Sequence, residues 1–124
     1  MGCPNKYSIE VGCIYNCITS NTQMFEDFGG KHYRSVLVVS LLGQCAKVYA
    51  CSSRFDGFSK HVKSGHGNVD LYIVFKKGLY CVPIRNLKLP GSKWEEWADW
   101  KKQNKKVIQD IERASSIKCN NCVI

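Results

Sequence analysis

A mostly β fold of α+β class, a small curved antiparallel sheet or SH3-like barrel closed by a C-terminal helix, follows from three features of this 124-residue chain. Residues 34–54 hold an apolar run rich in valine, a break at Gly43 and Gln44, and a second apolar run ending in Ser52 and Ser53. Further short runs at 7–19, 69–76 and 79–89 are separated by glycine-rich, polar loops, the spacing of an all-antiparallel sheet. Only from Ser92 does the apolar spacing become helical.

The elements follow in order. Residues 1–6 are a polar arm. Within 7–19, Ile14, Tyr15 and Ile18 take strand positions. Residues 20–32 carry Asn21, Glu26, Asp27, Gly29, Gly30 and Lys31 and are expected to be a loop folding over a sheet edge or a site. The run 35–42 is too short for a comfortable helix and rich in β-branched residues, so it reads as a strand buried on both faces. With 46–51 it forms an antiparallel pair joined by a tight turn. Residues 55–68 are expected to be a second loop, mobile through Gly57, Gly65 and Gly67 and positive through Lys60, His61, Lys63 and His66.

A strand at 69–76 turns at Lys77 and Gly78. Residues 79–89 form another strand or two short ones, with Pro83 confined to an edge or bulge because it lacks the ladder donor. Pro90 and Gly91 are expected to end the β region. Ser92 and Glu95 then make a capping box for one helix over 92–114. Its apolar face holds Trp97, Trp100, Val107, Ile108 and Ile111, and its solvated face Lys102, Lys105, Lys106 and Arg113. The last ten residues, 115–124, read as a tail. The whole is one domain: a β-rich core at 7–91, the helix and the tail.

Eighteen Lys and Arg against ten Asp and Glu give a formal charge of +8, which favours an anionic partner, nucleic acid first. The 44% hydrophobic content excludes global disorder. No apolar stretch approaches membrane-spanning length, so no membrane partner is expected. The opening residues lack the apolar core of an export signal, so the eight cysteines are expected as reduced thiols in a cytoplasm. Cys45, Cys51 and Cys81 read as small core residues. Cys13 and Cys17 with Cys119 and Cys122 leave open a four-thiolate zinc module, although no histidine supports it. No cofactor or metal is otherwise called for.

The antiparallel pair brings Arg34, at the entrance of its first strand, to the same rim as Ser52, Ser53 and Arg54, at the exit of its second. At this point the order of pieces resembles the MazF/PemK/Kid ribonuclease toxins and their CcdB-like relatives. Gly12-Cys13-Ile14-Tyr15 matches that family's opening strand with Cys13 in the place of an acid. Arg34-Ser35-Val36-Leu37-Val38-Val39 matches its Arg-Pro-Val-Leu-Val-Ile segment with Ser35 in the proline place. Ser52 and Ser53 end the next strand as a Thr or Ser does there. Residues 83–88 keep only Arg85 and Leu87 of a later motif.

The resemblance implies metal-independent cleavage of single-stranded RNA by attack of a 2′-hydroxyl on the adjacent phosphate, by a cytoplasmic homodimer controlled by a protein antitoxin. Under it Arg34 stabilises the phosphate, Ser52 or Ser53 gives a positioning hydrogen bond, and His61 or His66 serves as acid or base. Arg54, Lys60, Lys63 and Arg85 add RNA contacts. The departures remove the family's acidic residues near Cys13 and Lys88. Two plainer readings stay open: Arg34 as a rim ion-pair residue with surface histidines, and a non-catalytic β-barrel of phage or mobile-element origin that binds nucleic acid or protein.

Overall fold

The computed structural model describes residues 8–54, 60–63, 70–75 and 78–114. The chain runs β1 (Cys13–Ile18), α1 (Gln23–Asp27), β2 (Tyr33–Leu42), β3 (Cys45–Ser52), β4 (Lys60–Lys63), β5 (Asp70–Ile73), β6 (Leu79–Pro83), a 3-10 turn (Ile84–Asn86), β7 (Leu87–Lys93), α2 (Trp97–Gln103) and α3 (Lys105–Ala114). It is a mostly β protein. One antiparallel sheet has the order β4-β5-β3-β2-β1-β7, with β6 also on β3.

The valine-rich run makes β2, and its hairpin with β3 turns through Gly43 and Gln44. Gly43 sits at φ +58, a left-handed conformation that a residue without Cβ adopts without strain. Val36 to Ser40 are all buried, as a strand covered on both faces requires. Strand β3 is shared. Its first five residues pair with β6 and its last two with β5, on the edge opposite β2. Because β6 and β7 are joined by a single turn yet pair with β3 and β1 respectively, the five strands β6-β3-β2-β1-β7 curl.

Inside the curl lie Tyr15, Cys17, Val36, Val38, Val48, Ala50, Tyr80, Val82 and Leu87, with Met24 of α1 over one end. The alternate residues, Ile14, Leu37, Val39, Tyr49 and Cys51, face outward and are covered by Trp94, Trp97, Trp100 and Ile108. Trp97 and Trp100 stack with centroids 5.7 Å apart, and Trp100 stacks on Phe75 at 5.4 Å.

Several expectations need correction. The 20–32 loop contains α1. Lys60, His61 and Lys63 lie on β4 rather than in a loop, because β5 supplies a pairing edge. Pro90 and Gly91 do not end the β region. Strand β7 passes through them as an edge strand, where the missing proline N–H costs no ladder bond, and a register shift beside Ile14 and Asn16 accommodates them. Ser92 is no helix cap, since it pairs with Ile14 in the sheet; α2 starts at Trp97, and Asn104 divides the helix in two. Val107 is exposed rather than part of the apolar face.

The cysteines also depart from expectation. Cys13 and Cys81 are each held in a disulfide, whereas Cys17, Cys45 and Cys51 are free. A sulfur held in a disulfide is not a thiolate ligand, so the four-thiolate zinc module loses Cys13. Residues 1–6, Cys119, Cys122 and the rest of 115–124 lie outside the described residues. No described helix is long and apolar enough to cross a membrane.

Candidate functional site

The site grows from the register of the central hairpin. The β2–β3 ladder ends with Val36 opposite Ala50, and Arg34 and Ser52 each lie two residues beyond that last pair on their own strands. Arg34 is half-buried, and its Nη1 donates a 2.8 Å hydrogen bond to the Cys51 carbonyl. Its guanidinium carbon lies 4.1 Å from the centre of the Phe28 ring, so the cation is fixed from two sides. Burial pulls the Arg34 pKa down, and the neighbouring Cys51 and Tyr80 oppose that pull. The guanidinium stays charged nonetheless, since arginine does not lose its proton in proteins.

Ser52 is half-buried and its Oγ accepts a 3.1 Å hydrogen bond from the Arg54 backbone N–H, which shapes the strand exit. Ser53 and Arg54 are exposed beside it. Across the outer edge of β3, Ser52 pairs with Tyr72 of β5, and Tyr72 pairs with His61 of β4. The register therefore gives one lateral row, Ser52, Tyr72 and His61, and the Arg34 hydrogen bond to Cys51 brings Arg34 to its β3 end. Lys60 and Lys63 occupy the two ends of the same short strand as His61.

A second pair borders the row. The Tyr80 hydroxyl donates a 2.7 Å hydrogen bond to Asp27 Oδ2, which ties α1 to β6. Burial raises the Tyr80 pKa, the bond to Asp27 and its charge raise it further, and Arg34 opposes them. Tyr80 is thus a hydrogen-bond donor at neutral pH. Gln23 Nε2 donates to the other Asp27 oxygen at 3.3 Å, and Phe28 closes the group with its ring 6.1 Å from that of Tyr80.

Not every expected residue belongs here. Arg85 is exposed on the 3-10 turn, and the Ile84 N–H donates to the Gln44 carbonyl at the β2–β3 turn. Arg85 therefore stands at the far end of β3, about 23 Å along the strand at the usual rise. His66 lies outside the described residues. Tyr72, Tyr80, Asp27 and Phe28 were not foreseen: Tyr72 enters only through strand register, and Asp27 meets Tyr80 across 53 positions of sequence. Among the described residues no group of three or more His, Cys, Asp or Glu is placed to hold a metal ion. Cys17, donating to the Ile18 carbonyl at 3.3 Å, has its thiol pushed up to about 12 by burial and is neutral.

Comparison with protein-family models, with curated proteins and with solved structures finds no match for this chain.

Proposed function

We propose that the chain is a toxin-type endoribonuclease that cleaves single-stranded RNA without a metal. The single observation supporting this is the lateral row of Ser52, Tyr72 and His61 with Arg34 hydrogen-bonded to the neighbouring Cys51 carbonyl at its β3 end. In this reading a ribose 2′-hydroxyl loses its proton to His61 or His66 and bonds to the adjacent phosphorus. The 5′-oxygen leaves with a proton from the other acid, and the product ends in a 2′,3′-cyclic phosphate. Arg34 holds the phosphate oxygens as charge builds on them, using donors other than the Nη1 bond to Cys51. Ser52 or Ser53 positions the phosphate, and Arg54, Lys60 and Lys63 draw in the RNA strand.

The partners proposed with it are those of the resemblance: RNA, a second copy of the chain, and a protein antitoxin in the cytoplasm. A second reading has its own support. Arg34 is clamped between the Cys51 carbonyl and the Phe28 ring, which suits a fixed cation in a module that only binds nucleic acid. Incubating folded protein with end-labelled single-stranded RNA in EDTA separates the two. Fragments with cyclic phosphate ends are expected; RNA that is bound but remains intact would leave the binding module.

A further inference from the structure

We infer that the cleft between β7, β1 and β2 is a nucleotide subsite that reads a base of single-stranded RNA, an inference that rests on the RNA-directed reading of the Arg34 rim. The cleft has a volume of about 420 Å³ and is lined by Asn16, Ser35, Lys88, Leu89 and Pro90. That size suits a small ligand.

Its origin is a mismatch in strand pairing. Strand β1 pairs with β7 at Ile14↔Ser92 and again at Asn16↔Lys88, so Leu89, Pro90 and Gly91 stand opposite the single residue Tyr15. Gly91 allows this, because a Cβ there would overlap the Tyr15 ring. The surplus residues bow outward, and they leave Leu89 45% exposed beside Pro90 as an apolar wall.

Below that wall lies a polar row. Asn16 pairs with Lys88 on one side and with Ser35 on the other, so ammonium, amide and hydroxyl residues line up across three strands. Asn16 is the one exposed residue of β1, a strand otherwise buried or half-buried. Among the described residues none of the three side chains makes a hydrogen bond. A carboxamide offers a donor and an acceptor side by side, the pattern of a base edge, while an apolar wall receives the base face and a lysine its phosphate. The net charge of +8 favours the same anionic ligand.

Position sets the cleft beside the rim. The next rung of the β1–β2 ladder after Asn16↔Ser35 is Cys17↔Arg34, and successive residues of a strand point to opposite faces, so the cleft lies one rung from Arg34 on the other face of the sheet. An RNA strand that wraps that end of the sheet reaches both.

The test uses the full chain and fluorescein-labelled 2′-O-methyl homopolymers of U, A and C, which bind but have no nucleophile for cleavage. Anisotropy should show a preference of about tenfold for one base, lost in Asn16→Ala. Lys88→Ala should weaken all three and lower the salt slope by about one unit. Both residues are exposed, and circular dichroism checks that the variants fold. Ultraviolet cross-linking of thiouridine RNA should label the peptide carrying Leu89. If the parent cleaves RNA while both variants keep its selectivity and salt slope, the subsite is overturned and the ribonuclease reading stands. Selective binding lost in Asn16→Ala without cleavage by the parent leaves the subsite and removes the ribonuclease. A parent that binds none of the homopolymers overturns both.

Discussion

The hydroxyl of Tyr80 on β6 is hydrogen-bonded to the carboxylate of Asp27 on α1, 2.7 Å away. This bond ties the short helix to the sheet beside Arg34. Tyr80→Phe keeps the ring against Phe28 and deletes only the donor, so it should cost about 1–2 kcal/mol, the lower part of the range for a bond to a charged group because Asp27 is exposed. Asp27→Asn keeps an acceptor and should cost less. Urea unfolding checks the order; a Tyr80→Phe midpoint equal to that of the parent would show the helix is held otherwise.

Stability should fall in alkali. Burial pushes the Cys17 and Cys51 thiols from 9.0 to about 12, and it also raises Tyr15, Tyr49 and Tyr80 from 10.0. Below about pH 8 these groups are protonated in both states and contribute little slope. As pH rises from there the unfolded chain releases its protons first while the folded chain keeps them, so the folded state loses ground up to pH 12 and beyond. Chemical denaturation at pH 7, 8 and 11 should give a nearly level first interval and a steep second one. An unchanged midpoint at pH 11 would contradict the burial of these groups.

Gly12→Ala should be among the most damaging single changes. Gly12 has φ +86, and a Cβ there would meet the Trp97 indole 2.6 Å from its Cγ. Left-handed backbone and overpacking together should cost about 2–4 kcal/mol. The thermal midpoint should drop accordingly, with loss of the near-ultraviolet signal of the stacked Trp97 and Trp100. A variant with the parent's midpoint and spectrum would mean α2 does not dock against Gly12.

Arg34→Lys keeps a cation but loses the planar fork that bonds the Cys51 carbonyl and lies over Phe28. Under the proposed ribonuclease function, cleavage should fall by about 100-fold or more while RNA affinity changes little, as expected when an interaction matters most in the transition state. Single-turnover rates and anisotropy on the same RNA measure both. Equal losses in rate and affinity would assign Arg34 to binding alone.

What the sequence made legible was local. The 35–42 run and the Gly43–Gln44 break announce β2, β3 and their turn, because β-branched residues and turn chemistry act between neighbours. From that pair alone the approach of Arg34 to the end of β3 follows. Strand β4 stayed hidden because its pairing edge on β5 outweighs the glycine-rich surroundings of Lys60 and His61. Ser92 carried a capping signal, yet its pairing with Ile14 outweighed local preference. Asp27 and Tyr80 share no local pattern at all, since a contact between α1 and β6 exists only once the sheet has curled.

The sharing of β3 also orders events in time. Strands β5 and β6 both need its outer edge, and that edge exists only after the β2–β3 hairpin has closed through its two-residue turn. Hairpin closure is local and fast, whereas the β1, β5, β6 and β7 pairings must close longer stretches of chain. The hairpin is then the template on which the later strands assemble, and unfolding by fraying of outer strands reaches it last. Amide exchange should be slowest at Val36, Leu37 and Val38 and at Val48, Tyr49 and Ala50, faster at β4 and β7, and earliest to gain protection, after dilution from denaturant, in β2 and β3.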